Sequence, residues 1–181
     1  MRVSVIGGGR IDEATYGTAR EVGRLLGERG HTVVCGGLGG VMEAACRGVH
    51  DAREGVRRDG VRREEAPRNE RAGVEGVSAT DGDGGRTVGI LPGTDPGAAN
   101  EYVDTAVATG MGNARNVLVV LNGDAAIAVD GATGTLSELG HALDFGRPVA
   151  GIGAADLGGF RGFEAVETPA EAVESVERRV G

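Results

Sequence analysis

The chain has 181 residues, 40% of them hydrophobic and 3% aromatic, with a net charge of −8; this is enough apolar material for one domain with a real core. All 19 basic residues are arginine, which excludes an internal pyridoxal phosphate Schiff base and a Walker A loop, since both need a lysine. The acidic surplus argues against broad binding to a nucleic-acid backbone. The absence of a long apolar run or a leader-like start leads us to expect a soluble cytoplasmic protein with no membrane partner.

Acidity without lysine and with few aromatics fits adaptation to molar salt, where carboxylate repulsion is screened within about 3 Å. A GC-rich genome gives the same replacement of lysine by arginine. We expect a haloarchaeal type of source.

Residues 2–6 read as a buried strand ending in Gly7-Gly8-Gly9. Asp12 is placed to cap the following helix, with Ala14, Thr18, Val22, Leu25 and Leu26 on one face at helical spacing. Gly30 closes that helix as a left-handed cap. A second strand over 31–35 ends in Gly36-Gly37-Leu38-Gly39-Gly40, and 41–49 reads as a helix with Glu43 in its first turn. Cys35 and Cys46 lack metal spacing and read as buried free thiols.

The stretch 51–86 breaks the pattern. It mixes paired arginines, paired glutamates and Asp81-Gly82-Asp83-Gly84-Gly85 with few apolar residues, too few to offset the entropy of ordering it. We expect a disordered charged insertion with at most a frayed helical start. Interleaved acids argue against a nucleic-acid arm.

A third strand over 87–91 closes on Pro92-Gly93-Thr94-Asp95-Pro96-Gly97, residues suited to a rigid loop. Residues 102–108 read as a short edge strand carrying Asp104. Asn113 is placed to cap a helix over 114–121; Val117, Leu118, Val119 and Val120 equally fit a strand by composition, and the helix is favoured because 125–129 must then be the buried strand. The small-residue loop Asp130-Gly131-Ala132-Thr133-Gly134-Thr135 follows, then a helix over 134–145 and a last strand over 147–152. Thr168-Pro169-Ala170-Glu171 is a capping box with proline at the first helical position; Ala170, Val173, Val176 and Val180 form its buried stripe.

Strands alternating with glycine loops and helices predict a Rossmann-like three-layer α/β domain over 1–181, with a mostly parallel sheet wound by right-handed crossovers. Ligands bind such sheets outside the carboxyl ends of the strands, so the loops at 7–9, 36–40 and 131–134 should share one edge. A dinucleotide fingerprint does not fit: from Gly7 its last glycine would fall on Asp12, and from Gly37 on Met42. The loop at 131–135 leads into a helix N-terminus, a natural anion site, with Glu138 one turn inside. Thr135-x-x-Glu138 equally fits a capping box that serves only its own helix. Arg115 reads as either a ligand residue or a surface ion pair, and Asp95 and Asp130 as loop caps or ribose contacts. His31, His50 and His141 show no metal spacing.

Together, Gly36-Gly37-x-Gly39-Gly40-x-Met42, Gly89-Ile90-Leu91-Pro92-Gly93, Arg115-Asn116 and Gly131-x-x-Gly134-Thr135-x-x-Glu138 resemble the LOG ("lonely guy") family, in its short prokaryotic branch of unassigned function. The resemblance covers the chain apart from 51–86. It implies a dimeric Rossmann-like fold and a phosphoribohydrolase, which splits a nucleoside 5′-monophosphate into free base and ribose 5-phosphate with neither metal nor resident cofactor. It implies Arg115 and Glu138 as the catalytic pair. It places Gly8, Gly9, Gly37, Gly39, Gly40, Met42, Asp95, Gly131, Thr133, Gly134 and Thr135 around the nucleotide. The family's PGGxGTxxE is altered here, with Asp130 for proline and Ala132 for the second glycine, and Asn116 stands where LOG enzymes carry lysine. The alternative reading is a non-catalytic carrier of a nucleotide or of molybdenum cofactor.

Overall fold

The computed structural model describes residues 1–64, 85–131, 133–154 and 159–181, with backbone alone for 56–64. Seven strands alternate with five helices: β1 (Arg2–Gly7), α1 (Glu13–Glu28), β2 (Thr32–Cys35), α2 (Val41–Glu64), β3 (Arg86–Leu91), β4 (Thr105–Ala108), α3 (Asn116–Leu121), β5 (Ala125–Val129), α4 (Thr133–Asp144), β6 (Val149–Ile152), β7 (Phe163–Val166) and α5 (Pro169–Val180). They form one sheet in the order β4-β3-β2-β1-β5-β6-β7. Every pairing is parallel. The chain therefore winds outward from β1 in one direction, then returns to β5 and winds in the other. That reversal between β1 and β5 is the topological switch point, where such sheets open a crevice.

Side chains alternate across the central strands. Val3, Val5, Val33, Ala125 and Ile127 face a core shared with α1, α2 and α5. Ile6, Val34, Ala126 and Ala128 face Val119 of α3 and Leu139 of α4. Each fully buried valine, leucine or isoleucine contributes roughly 1.5–3 kcal/mol, and β5 is buried along its whole length, as a doubly covered parallel strand must be. Among the described residues no helix is long and apolar enough to cross a membrane.

Several elements differ from the sequence expectation. The buried face of α1 is Ala19, Val22, Gly23, Leu26 and Gly27, whereas Ala14 is exposed. Glycine is the reason: a Cβ at Gly23 would overlap the Ala45 carbonyl, and one at Gly48 the Arg20 carbonyl. These glycines let the α1 and α2 backbones touch, and a hydrophobicity pattern passes over them.

The helix expected to end at 49 runs on to Glu64. It is anchored early in the added length by an Arg20–Asp51 ion pair at 2.6 Å and by Ala52 packed on Gly27. Anchors of this kind need few apolar residues, so their scarcity is a poor guide here. The rest of the expected disordered insertion, 65–84, lies outside the described residues.

The edge strand starts at Thr105, because Asp104 is drawn into a polar clip described below. Asn113 caps nothing: a 3-10 turn, Gly112–Arg115, precedes α3. The strand expected to be last begins at Val149, and β7 follows it. The capping box of α5 is formed as expected, Thr168 accepting from the Glu171 N–H while Glu171 accepts from Thr168. The buried stripe of α5 is Ala172, Val173 and Val176, while Ala170 and Val180 are exposed.

Candidate functional site

β2, β1 and β5 are neighbours, so their glycine loops converge on the carboxyl edge of the sheet. The loops after β1 and β2 are welded together: Val41 N–H donates to the Gly8 carbonyl at 3.0 Å, and Gly40 sits at φ 69° against Gly8 and Gly9. A side chain at Gly40 would be strained by its conformation and would also overlap the Gly8 carbonyl. The weld fixes one wall of a cavity of about 220 Å³ at the switch point. Gly7, Gly8, Gly9, Gly36 and Met42 line that wall; Asn113, Arg115, Asn116, Gly134, Thr135 and Glu138 line the other, with Val5 and Ile6 below.

Two charged side chains meet inside it. Arg115 comes from the 3-10 turn and Glu138 from α4, and Arg115 Nη1 lies 3.8 Å from Glu138 Oε1. Each side chain is only 9% exposed. Helix α4 begins at Thr133, so Thr135 lies inside it rather than at its cap. Glu138 faces the arginine, and the capping-box alternative for this pair falls away.

The arginine is poorly satisfied. Nη1 donates to Asn116 Oδ1 and Nη2 to the Gly36 carbonyl at 3.5 Å. Nε is buried with no hydrogen-bond partner. A buried guanidinium left with a free N–H costs about 1–3 kcal/mol or more, so Arg115 is held in this place at a cost. Burial pushes the Glu138 carboxyl up to about 7, against the opposing pull of Arg115. Burial likewise lowers the Arg115 pKa, opposed by Glu138. In both groups desolvation outweighs the pair's attraction, as expected for charges 3.8 Å apart that do not share a hydrogen bond.

Of the residues singled out in the sequence, Gly8, Gly9, Met42, Arg115, Gly134, Thr135 and Glu138 meet at the cavity. The others lie around it. Gly37, at φ 74°, packs on Leu91 and Gly89; Gly39 faces Glu43 and the Gly9 carbonyl; Gly40 forms the weld. Gly131, at φ 141°, packs on Thr135, and Thr133 is exposed at the start of α4. Asp95 caps a 3-10 turn, Pro96–Ala98, accepting from Gly97 N–H at 2.8 Å. Ala132 lies outside the described residues. Gly7 and Gly36, which open two of the glycine loops expected on this edge, also line the cavity, as do Asn113, expected only as a helix cap, and Asn116. Among the described residues no cluster of three or more metal-ligating side chains exists.

The model of the SLOG cluster4 family matches residues 1–72 and 70–179. The chain belongs to that family. An uncharacterised protein of Archaeoglobus fulgidus is 37% identical to it over 173 residues, covering 96% of this chain and 92% of that one. Among solved structures, the molybdenum cofactor binding protein of the phototrophic bacterium Rippkaea orientalis is similar over 99% of this chain and 97% of its own, with 26% identity and a TM-score of 0.77. The molybdenum cofactor carrier protein of Chlamydomonas reinhardtii is similar over 98% and 96%, with 23% identity and a TM-score of 0.71; at that identity the likeness speaks for the fold alone. The SLOG cluster4 chain thus shares its three-layer fold with proteins that bind a small molecule.

Proposed function

We propose that this SLOG cluster4 protein binds a small phosphate-bearing molecule of nucleotide type in the switch-point cavity and hydrolyses its N-glycosidic bond. The observation that carries the reading is the buried Arg115–Glu138 pair, which lines a cavity walled by glycine backbone. The 5′-phosphate would lie at Gly134 and Thr135, where the N-terminus of α4 favours an anion. Binding energy there would position the ribose over Glu138.

The C1′–N bond breaks with its electron pair leaving on the base, through an oxocarbenium-like state. Ionised Glu138 takes a proton from the water whose oxygen adds to C1′, the leaving base takes up a proton from solvent, and Glu138 then returns its own to solvent, so that one water is consumed. The products are free base and ribose 5-phosphate. Near neutral pH the Glu138 carboxyl stands between its two states, where acid–base catalysis is most effective. Arg115 holds Glu138 or a ribose hydroxyl in place.

The test is release of adenine from AMP in molar KCl, with Glu138→Gln as control. Wild type should release adenine and ribose 5-phosphate; the variant should lose roughly 10²–10⁴-fold in turnover while still binding AMP.

A second reading, a non-catalytic nucleotide or molybdenum-cofactor carrier, is favoured by the likeness to the Rippkaea orientalis protein and by the loop after β5. Asp130 stands at φ 51°, which proline, locked near −65°, cannot adopt. The loop entry here therefore differs from that of a PGG loop. AMP bound without any release of base would move the protein to this class.

The proposal includes a homodimer, supported by the exposure of Val107, Leu121, Leu136, Phe145 and Phe160; light scattering of the full chain in molar KCl measures it.

A further inference from the structure

The two cysteines take no part in the proposed chemistry, yet Cys35 adjoins Gly36, a residue of the cavity wall. Cys35 ends β2 and precedes Gly36, the residue whose carbonyl accepts from Arg115. Cys46 sits in the second turn of α2, so the pair brackets the 36–40 loop and Met42. Both are free and fully buried, with Sγ atoms 3.6 Å apart. Gly37 N–H donates to Cys35 Sγ at 3.4 Å. The Cys46 thiol as donor, that N–H and the nearby Arg115 charge hold the Cys35 thiol below its ordinary pKa; the hydrogen bond to Cys35, together with burial, pushes Cys46 up. Cys35 is thus the more acidic of two sulfurs already in contact and Cys46 the one that keeps its proton, the division of labour between an attacking and a resolving thiol.

We propose that Cys35 and Cys46 are a peroxide-responsive dithiol that closes to a disulfide and fixes the 36–40 loop against α2. Cys35 thiolate attacks the O–O bond of a hydroperoxide, becoming a sulfenic acid and releasing the alcohol, or water from hydrogen peroxide, once the departing oxygen takes up a proton. The Cys46 sulfur then attacks Cys35 Sγ and expels hydroxide, which leaves as water with the Cys46 proton. Two thiols lose two electrons and the O–O bond gains them. Cys35 is itself fully buried and its neighbour Gly36 lines the cavity wall, so the proposed route runs past Gly36, passable to a water-sized oxidant and closed to a bulky disulfide. Closure from 3.6 Å to the covalent length of about 2.05 Å draws the end of β2 toward α2. The wall that holds Arg115 moves with it.

The experiment treats the reduced full-length chain, under native conditions, with hydrogen peroxide or with glutathione disulfide. Trypsin cuts after Arg29 and Arg47 with no arginine or lysine between, so both thiols fall in one peptide, 30–47. With peroxide that peptide should lose two hydrogens, reversibly with dithiothreitol, and amide exchange over 36–42 should slow severalfold. With glutathione disulfide it should stay unchanged. Cys46→Ser should stop at a sulfenic acid on Cys35, which dimedone traps once the treated chain is unfolded in its presence, and Cys35→Ser should react at least roughly tenfold more slowly. A peptide that keeps both thiols, or gains oxygen without a cross-link, overturns the dithiol. A cross-link with unchanged amide exchange overturns the lock on the loop. Equal rates with both oxidants overturn entry through the cavity.

Discussion

Two arginine–carboxylate pairs stand at opposite ends of the same parallel sheet. At the amino end of β3, Arg53 grips Asp104 through both guanidinium nitrogens, Nη1 to Oδ1 at 2.9 Å and Nη2 to Oδ2, while its Nε donates to the Gly85 carbonyl at 2.7 Å. Asp104 also accepts from Thr87 N–H at 2.8 Å and from its hydroxyl at 3.1 Å. Burial pushes the Asp104 carboxyl up, but these donors overcome it and hold it at about 2. At the carboxyl end, Arg115 and Glu138 stand 3.8 Å apart with one guanidinium N–H unpartnered, and the carboxyl rises to about 7. The residue chemistry is nearly the same at both ends. What differs is how many hydrogen bonds each charge receives. A bidentate, fully donated pair is a clasp; an under-donated buried pair is a cost that a ligand can repay.

The largest expected effect separates the two ends by function. Arg115→Met removes the cation that faces the cavity, and AMP affinity should fall roughly 10- to 100-fold, the worth of one charge-assisted contact. Stability should hardly change, within about 1 kcal/mol, because Glu138 can then keep its proton through neutral pH. Arg53→Met should do the reverse. It strands the Asp104 carboxylate and the Gly85 carbonyl, and should cost about 2 kcal/mol, less than a wholly buried pair because Asp104 is partly exposed. For a chain of this length that is a drop of roughly 4–8 °C in Tm, with AMP affinity retained. Calorimetry of AMP binding and thermal melts on both variants check this. If Arg115→Met melts as early as Arg53→Met and binds AMP normally, the two pairs are both clasps.

The same contrast explains what the sequence made legible. The three glycine loops and their common edge followed from local spacing, because a strand, a glycine turn and a helix start leave a contiguous signature; the pairing of Arg115 with Glu138 came only as what the LOG resemblance implies. The clasp did not: Arg53 lies in a stretch too polar to look ordered, and Asp104 looks like a strand residue. Only the fold brings them together. The extension of α2 was hidden for the same reason, since its anchors, Arg20–Asp51 and Arg53–Asp104, are long-range. Strand β7 was hidden by its length of four residues and its Glu164, which is held by Ser175 and Arg178 of α5. The unpartnered Nε of Arg115 and the facing of Cys35 with Cys46 are distances between elements, which residue types alone do not encode.

The smallest effect tests whether the carboxyl end carries a cost in the resting protein. Glu138 has an ordinary carboxylate value near 4.5 when unfolded and about 7 when folded. A raised folded pKa means the native state binds the proton more tightly. Its contribution to stability is therefore fully present below pH 4.5 and is lost as pH rises through 7. The full shift would correspond to about 3 kcal/mol, but water entering the open cavity reduces it, and about 1–2 kcal/mol is expected. Asp104 has the opposite sign: its contribution is present above 3.8 and fades only as pH falls through about 2, outside this window. Urea unfolding of wild type and Glu138→Gln at pH 4.5, 6 and 7.5 isolates the effect. Wild type should lose that stability across the series, and the variant, whose amide does not titrate, should lose about 1–2 kcal/mol less. Parallel curves would mean that Glu138 is as well solvated or as well paired as Asp104, and the difference between the two ends of the sheet would collapse.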